Sequence, residues 1–315
     1  MPPKHSFRAN GKVLLTGEYL VLDGALALGI PLSVGQRMQV SEGSGSEIVW
    51  ESLRPNGEQW FTGRFDLFGF DPIKTSDEAV ALRLKEIFES AVRLNSDFLS
   101  KWKKYRVRTE MDFEPEWGLG SSSTLITCIA AWADVDPYDL LETTFGGSGY
   151  DIACAMSDHP VLYQSDDLAI DVQDAAFSPR FSDNLYFVYL GQKRDTRLAA
   201  REYAEKKVSS KDINEVSTIS RSICTANNLS EFDSLLKAHE ELIGTVLGKK
   251  PVKQDLFDNY WGEVKSLGAW GGDFVLATSS KSATETEAYF KNKGYHTFFP
   301  YKQLALCKAG VNEQA

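Results

Sequence analysis

The chain has 315 residues, 43% of them hydrophobic and 25% charged, a globular balance with enough apolar material for two packed lobes. Lys and Arg total 34 against 44 Asp and Glu, and the net charge of −10 excludes the chain-wide basic surface that unspecific nucleic-acid binding needs. A local basic pocket for a small anion is compatible with that total, because net charge does not describe one site.

The first hundred residues read as β-rich. Lys12–Val21, Ser33–Glu42, Ile48–Ser52 and Gln59–Phe65 carry the branched and aromatic residues of strands, with Asp23-Gly24, Gly43-Ser44-Gly45 and Pro55-Asn56-Gly57 as turns between them. From Ser76 the apolar spacing changes to i, i+3, i+4 and predicts a helix over 76–95. A strand at Tyr105–Phe113 is followed by Gly118-Leu119-Gly120-Ser121-Ser122-Ser123 and an apolar helix. Asp136 and Pro137 have the chemistry of an N-cap and a first helical position, so a short helix is expected from Pro137 to Thr144. A helix at Ile152–Met156 and a strand at Val161–Gln164 complete a first lobe.

The polar, proline-containing stretch Phe177–Asp183 is the expected boundary, giving lobes of residues 1–182 and 183–315. The second lobe reads as a strand at Leu185–Leu190, helices near 196–209, 212–228, 230–247 and 254–267, a strand at Phe274–Thr278, a helix at 282–292 and a last strand near Tyr295–Phe299. Cys128, Cys154, Cys224 and Cys307 lack CxxC spacing, and Cys128 and Cys154 sit in apolar runs as buried thiols do. The sequence has no apolar run of the roughly 18–20 residues that a membrane span needs, and no signal-peptide core follows Met1. A cytoplasmic protein without nucleic-acid or membrane partners is expected.

Four segments carry candidate chemistry. The glycine–serine turn at Gly118–Ser123 opens a helix whose first N–H groups are unpaired, an arrangement suited to phosphate, and a serine hydroxyl there can reach Mg²⁺. It has neither the Walker A pattern nor a complete dinucleotide fingerprint, and an ordinary helix start has the same composition. Glu142 and Asp151 flank the loop Gly146-Gly147-Ser148-Gly149. Each also reads as a solvated acid, but the small residues before Asp151 allow close approach to a ligand and partial desolvation of a general base. Gly268-Ala269-Trp270-Gly271-Gly272-Asp273 is a second glycine loop or merely a helix stop, and Lys12 follows Gly11 in the first strand.

Taken in chain order, from Gly11-Lys12 through Gly118–Ser123 and Ser148–Asp151 to Gly268–Asp273, these segments resemble the motifs of the GHMP kinases, a family that includes galactokinase, homoserine kinase, mevalonate kinase and phosphomevalonate kinase. The opening Glu18-Tyr19 with Leu20-Val21-Leu22-Asp23-Gly24, the run Gly147–Ala153, and Lys193-Arg194-Asp195-Thr196-Arg197 are similar to the mevalonate and phosphomevalonate branch. The resemblance implies an α+β, two-lobed fold, with a β-rich N-terminal nucleotide-binding lobe and a ferredoxin-like C-terminal lobe. It implies an ATP- and Mg²⁺-dependent transfer of the γ-phosphoryl group to mevalonate or phosphomevalonate, by a monomer or homodimer. By position, Lys12 would neutralise charge at the reacting groups, and Gly118, Leu119, Gly120, Ser121, Ser122 and Ser123 would wrap the ATP phosphates. Ser122 and Glu142 would hold the metal, and Asp151 would orient or deprotonate the acceptor. Glu18, Tyr19, Lys193, Thr196, Arg197, Gly271 and Gly272 would lie on the substrate side.

The chain departs from the family at Asn10 before Gly11, at Ser123 where alanine is usual, at Trp270 where glycine is usual, and in the short gap from Glu142 to Asp151. The same fold also serves a diphosphomevalonate decarboxylase-type enzyme, sugar and homoserine kinases, and non-catalytic binding proteins.

Overall fold

The computed structural model describes residues 4–166, 169–191 and 196–306, the side chains of 196 and 197 excepted. The chain divides into two compact units. One comprises Met1–Gly11, Val34–Pro115 and Leu119–Met156, and the other Lys12–Ser33, Glu116–Gly118 and Ser157–Ala315.

The first unit takes residues from β1 (His5–Thr16) and β2 (Ala27–Gly43), then β3 (Glu47–Leu53), β4 (Gln59–Asp66), β5 (Pro72–Thr75), α1 (Glu78–Leu94), β6 (Lys104–Met111), α2 (Ser121–Ala133), α3 (Pro137–Glu142) and α4 (Tyr150–Met156). Its strands run in the order β5-β4-β3-β6-β2. Period-two alternation sends Met38, Val40, Ile48, Trp50, Phe61 and Phe65 to a buried face, against Ala81, Leu84, Ile87, Phe88 and Ala91 of α1. Asp77 caps α1 by accepting the Val80 N–H at 3.1 Å. The cap expected for α3 is present, with Asp136 accepting the Tyr138 N–H at 2.7 Å and Pro137 in the first turn.

The second unit adds β7 (Val161–Ser165), β8 (Ile170–Asp174), β9 (Leu185–Tyr189), α5 (Thr196–Ala204), α6 (Ser210–Cys224), α7 (Leu229–Leu247), α8 (Val252–Leu256), β10 (Val264–Leu267), β11 (Phe274–Thr278), α9 (Ala283–Asn292), β12 (Phe298–Pro300) and α10 (Tyr301–Leu304). Its four-stranded antiparallel sheet runs β10-β11-β9-β12. With helices between its strands, this is the ferredoxin-like arrangement expected. Ser209 with Asp212 and Ser282 with Glu285 form capping boxes at the starts of α6 and α9.

Two expectations are corrected. The strand foreseen at Lys12–Val21 ends at Thr16, and a 3-10 turn at Leu20–Asp23 replaces its second half. The helix foreseen over 254–267 is the short α8 followed by strand β10, whose residues Val264 to Leu267 pair with Ala277 to Phe274. Gly262 sets this change of course, because a Cβ there would lie 1.9 Å from the Thr278 carbonyl oxygen. The two compact units are interleaved along the chain, and the last change from one to the other falls after Met156. Residues Val161–Tyr163 of β7 pair with Ala27–Gly29, which ties β7 to the early chain inside the second unit.

Cys128 and Cys154 are buried, and burial pushes the Cys128 pKa up to about 12. Cys307 lies outside the described residues. Among the described residues, no helix is long and apolar enough to cross a membrane. Gly262→Ala forces Thr278 away from its strand position, and overpacking of this kind costs about 1–3 kcal/mol. Urea denaturation should show that loss, and an unchanged midpoint would contradict the close approach.

Candidate active site

In the first unit the glycine–serine turn becomes the start of α2. Gly120 caps the helix at φ 98°, a left-handed conformation that suits glycine, and it offers no side chain to the helix amides. The first N–H groups of a helix have no intrahelical carbonyl, so those of Ser121, Ser122 and Ser123 form a site with the positive end of the helix dipole behind it. The three serines differ. Ser122 is exposed, whereas Ser123 is buried and donates its hydroxyl to the Gly120 carbonyl at 3.0 Å. The Ser123 hydroxyl is therefore spent inside the turn, and only its backbone remains for a phosphate. Thr124 donates to Gln36 Oε1 at 2.8 Å and pins the first turn to β2.

α2 packs against α3 and α4, the helices that carry Glu142 and Asp151. Glu142 is exposed at the last position of α3. Asp151 is half-buried in the first turn of α4, where its Oδ1 lies 3.2 Å from the Ile152 N–H as an acceptor. The space over Gly146 and Gly147 is open, with no atom within 4 Å of where a Cβ would stand. Among the described residues no three His, Cys, Asp or Glu side chains gather into a metal site.

The second unit holds the other expected residues. Lys12 is half-buried on β1. Gly118 is at φ 70° beneath the Asp273 carboxylate, whose Oδ2 would meet a Cβ there at 2.2 Å. A side chain at position 118 would be strained at this φ and would displace the Asp273 carboxylate, which favours glycine there. Asp273 itself follows Gly271 and Gly272, so the second glycine loop packs on Gly118.

Tyr19, at φ 65°, accepts the Trp270 N–H on its hydroxyl at 2.7 Å and lies against the Tyr203 ring, 5.5 Å between centroids. The Trp270 indole is buried and donates to the Lys250 carbonyl at 3.1 Å. Trp270, a departure from the family pattern, is therefore the partner of Tyr19 in one contact. Thr196 and Arg197 begin α5, and Lys193 and Arg194 lie outside the described residues.

Glu18, expected on the substrate side, is instead 2% exposed and bonded to the Lys265 ammonium. Lys265 is itself 1% exposed and lies 3.7 Å from Glu240 Oε1. Glu240 accepts the Ser266 N–H at 3.2 Å and the Val252 N–H at 3.4 Å, and His239 Nε2 accepts the Gly17 N–H at 3.0 Å. Two carboxylates thus share one ammonium out of water. Burial raises Glu18 to about 7 against the pull of Lys265. Glu240 rises to about 8, through burial above all, with Lys265 opposing and Glu18 adding. Burial, and then Lys265, hold His239 well below its ordinary range, so it is neutral and its 3.3 Å approach to Glu18 is not an ion pair.

Sequence reasoning missed His239, Glu240 and Lys265. Phe232, Leu236, His239, Ile243 and Leu247 fall on one helical face, a pattern that marks His239 as a core residue, but Lys265 carries no such signal.

No protein-family model matches the sequence, and no curated protein is similar to it. Solved structures are similar in fold. The Methanococcus jannaschii mevalonate kinase shares 16% identity over 94% of this chain and 96% of its own, with a TM-score of 0.69. The Streptococcus pneumoniae phosphomevalonate kinase, in complex with phosphomevalonate and AMPPNP, shares 15% over 94% and 99%, also at 0.69. The Lactococcus lactis galactokinase, complexed with galactose, shares 13% over 96% and 93%, at 0.66. The chain has the GHMP kinase fold. These three structures of that fold are all kinases, of three different acceptors.

The buried carboxylates make stability depend on pH. Between about 6.5 and 8 the folded chain retains protons on Glu18 and Glu240 that the unfolded chain has released, so stability falls as pH rises across that window. The slope is at most about 1.4 kcal/mol per pH unit for each retained proton. Below about 6.5 the neutral His239 acts in the opposite direction. His159, raised by Asp158 and Asp174, gives a slope of the same sign as the carboxylates, so the readout is the difference between proteins. Glu240→Gln should flatten the dependence measured by urea denaturation from pH 6.5 to 8, and parallel wild-type and variant curves would refute the proton retained on Glu240.

Proposed function

We propose that this chain is an ATP-dependent phosphotransferase that moves the γ-phosphoryl group to mevalonate or phosphomevalonate, or to a closely related small acceptor. The observation that carries the proposal is the start of α2, with amides that no side chain caps, an exposed Ser122, and packing against the helix that bears Asp151. The shared fold with kinases of small molecules supports it.

In this reading the amides of Ser121 to Ser123 and the backbone of Gly118 to Gly120 hold the phosphates, and Lys12 meets the negative charge that spreads over the transferring group. An acceptor oxygen attacks the γ-phosphorus as the bond to the ADP oxygen breaks. With mevalonate, the hydroxyl proton passes to an Asp151 carboxylate oxygen. With phosphomevalonate, the attacking phosphate oxygen is already ionised, and Asp151 orients the acceptor. Ser122 and Glu142 suit Mg²⁺, which binds through one or two protein oxygens plus substrate phosphates, and their exposed side chains fit that need. The ion supplies charge neutralisation on the phosphates when bound.

Glu18 and Tyr19 act here through the backbone they fix, and Gly271 and Gly272 through the loop beside Gly118. Lys193, Thr196 and Arg197 are proposed to belong to the substrate side, with residues 1–182 as the nucleotide lobe and 183–315 as the second lobe. A cytoplasmic monomer or homodimer completes the reading.

ADP release should be measured over a panel of mevalonate, phosphomevalonate, diphosphomevalonate, homoserine and galactose. One of the first two acceptors should give turnover. CO₂ release from diphosphomevalonate would assign the decarboxylase reaction instead, and no ADP from any acceptor would support a binding protein. In the active assay Asp151→Asn and Lys12→Ala should each lower kcat by roughly 10²–10⁴, and near-normal turnover would remove the role assigned to that residue.

A further inference from the structure

The first unit also carries a basic groove on the solvent face of its sheet, a cavity of about 720 Å³ that involves none of the residues assigned above. Strand register arranges its charges. Lys74 on β5 stands opposite Arg64 on β4, Arg64 opposite Val49 on β3, Val49 opposite Arg106 on β6, and Arg106 opposite Ser41 on β2. One row across five strands therefore carries three cations around a central valine. Thr62, Glu51, Arg108 and Gln39 form the next row in the same register. A strand spacing near 4.8 Å sets Arg64 and Arg106 about 10 Å apart at the backbone, with only the short Val49 between them.

Two features make this more than a solvated sheet face. Directly opposed like charges destabilise a sheet, yet Lys74 and Arg64 are cross-strand partners. The local carboxylates also fall short of neutralising the row. Glu47 takes Arg64 at 2.6 Å and Glu110 takes Arg108 at 2.7 Å, while Arg106 and Lys74 form no ion pair among the described residues. Glu51 is the single acidic residue lining the groove among the described residues. In a chain of net charge −10, four cations against one lining carboxylate are a local reversal of sign.

We infer that this groove is a second anion site, one that takes a small molecule carrying a di- or triphosphate along the Lys74–Arg64–Arg106 row. The volume lies in the range of small-molecule pockets, and guanidinium groups bind phosphate oxygens through paired N–H donors. Val49, short and apolar, is the row position between Arg64 and Arg106. Ser41 and Gln39 offer neutral polar contacts, and Glu51 accepts a hydroxyl or amine from the uncharged part of the ligand. The inference does not depend on the phosphotransferase reading, because no residue of the groove belongs to that machinery.

The test titrates inorganic tripolyphosphate into the full chain by calorimetry at 50 mM salt, for wild type and for the double variant Lys74→Ser/Arg106→Ser. Both positions are exposed, and circular dichroism checks that the variant folds. The expected result is the loss of one binding event in the variant, or its weakening by at least tenfold, with ADP release unchanged. Two events reduced to one support the groove alongside the α2 site. One event reduced to none supports the groove and counts against phosphate binding at α2, so the two claims fail separately. Equal stoichiometry and affinity in both proteins would overturn the groove. A single-stranded oligonucleotide that binds through Lys74 and Arg106 where tripolyphosphate does not would overturn it in favour of nucleic acid.

Discussion

A helix begins with backbone N–H groups that have no carbonyl to bond, and five of the ten α-helices described in this chain answer that need with a side chain. Asp77, Asp136, Ser209, Asn228 and Ser282 each accept an amide at the start of their helix. α2 is built differently. Its cap is a glycine, and of its first serines one is bonded inward and one is exposed. An anion is the partner that such a start leaves room for, and a chain of phosphates satisfies several amides at once. The roles assigned to Lys12, Asp151 and Glu142 all presuppose a phosphate at that position.

A second constraint governs the turn after β1. Lys265 cannot be buried as a charge without a partner, and Glu18, 247 residues earlier in the chain, is that partner. Around them the Gly17 N–H is taken by His239 and the Tyr19 hydroxyl by Trp270. Three anchors from α7, β10 and the loop after it thus hold a segment whose Tyr19 has a backbone conformation that side-chain-bearing residues rarely adopt. This buried cluster specifies the shape of one turn.

Much of the fold was legible because it rests on local chemistry. The Asp136-Pro137 start of α3, the alternation of the early strands and the apolar face of α1 are written in neighbouring residues. So is the glycine–serine turn that opens α2, a start whose composition suits an anion and an ordinary helix alike. What escaped depends on distant partners. Val264-Lys265-Ser266-Leu267 shows neither a helical nor an alternating pattern, and it becomes a strand because β11 pairs with it and Glu18 and Glu240 receive its lysine. Ser123 looks like its neighbours in sequence, and only the Gly120 carbonyl reveals that its hydroxyl is occupied. The row of cations on the first unit's sheet is likewise invisible along the chain, since Arg64, Lys74 and Arg106 meet only through register.

Amide hydrogen exchange with and without AMPPNP and Mg²⁺ tests the phosphate site at α2 most directly. The account requires the amides of Ser121, Ser122 and Ser123 to exchange at least tenfold more slowly when the nucleotide is bound. Unchanged exchange at these three amides, with the nucleotide shown to be bound, would place the phosphates elsewhere and contradict the account.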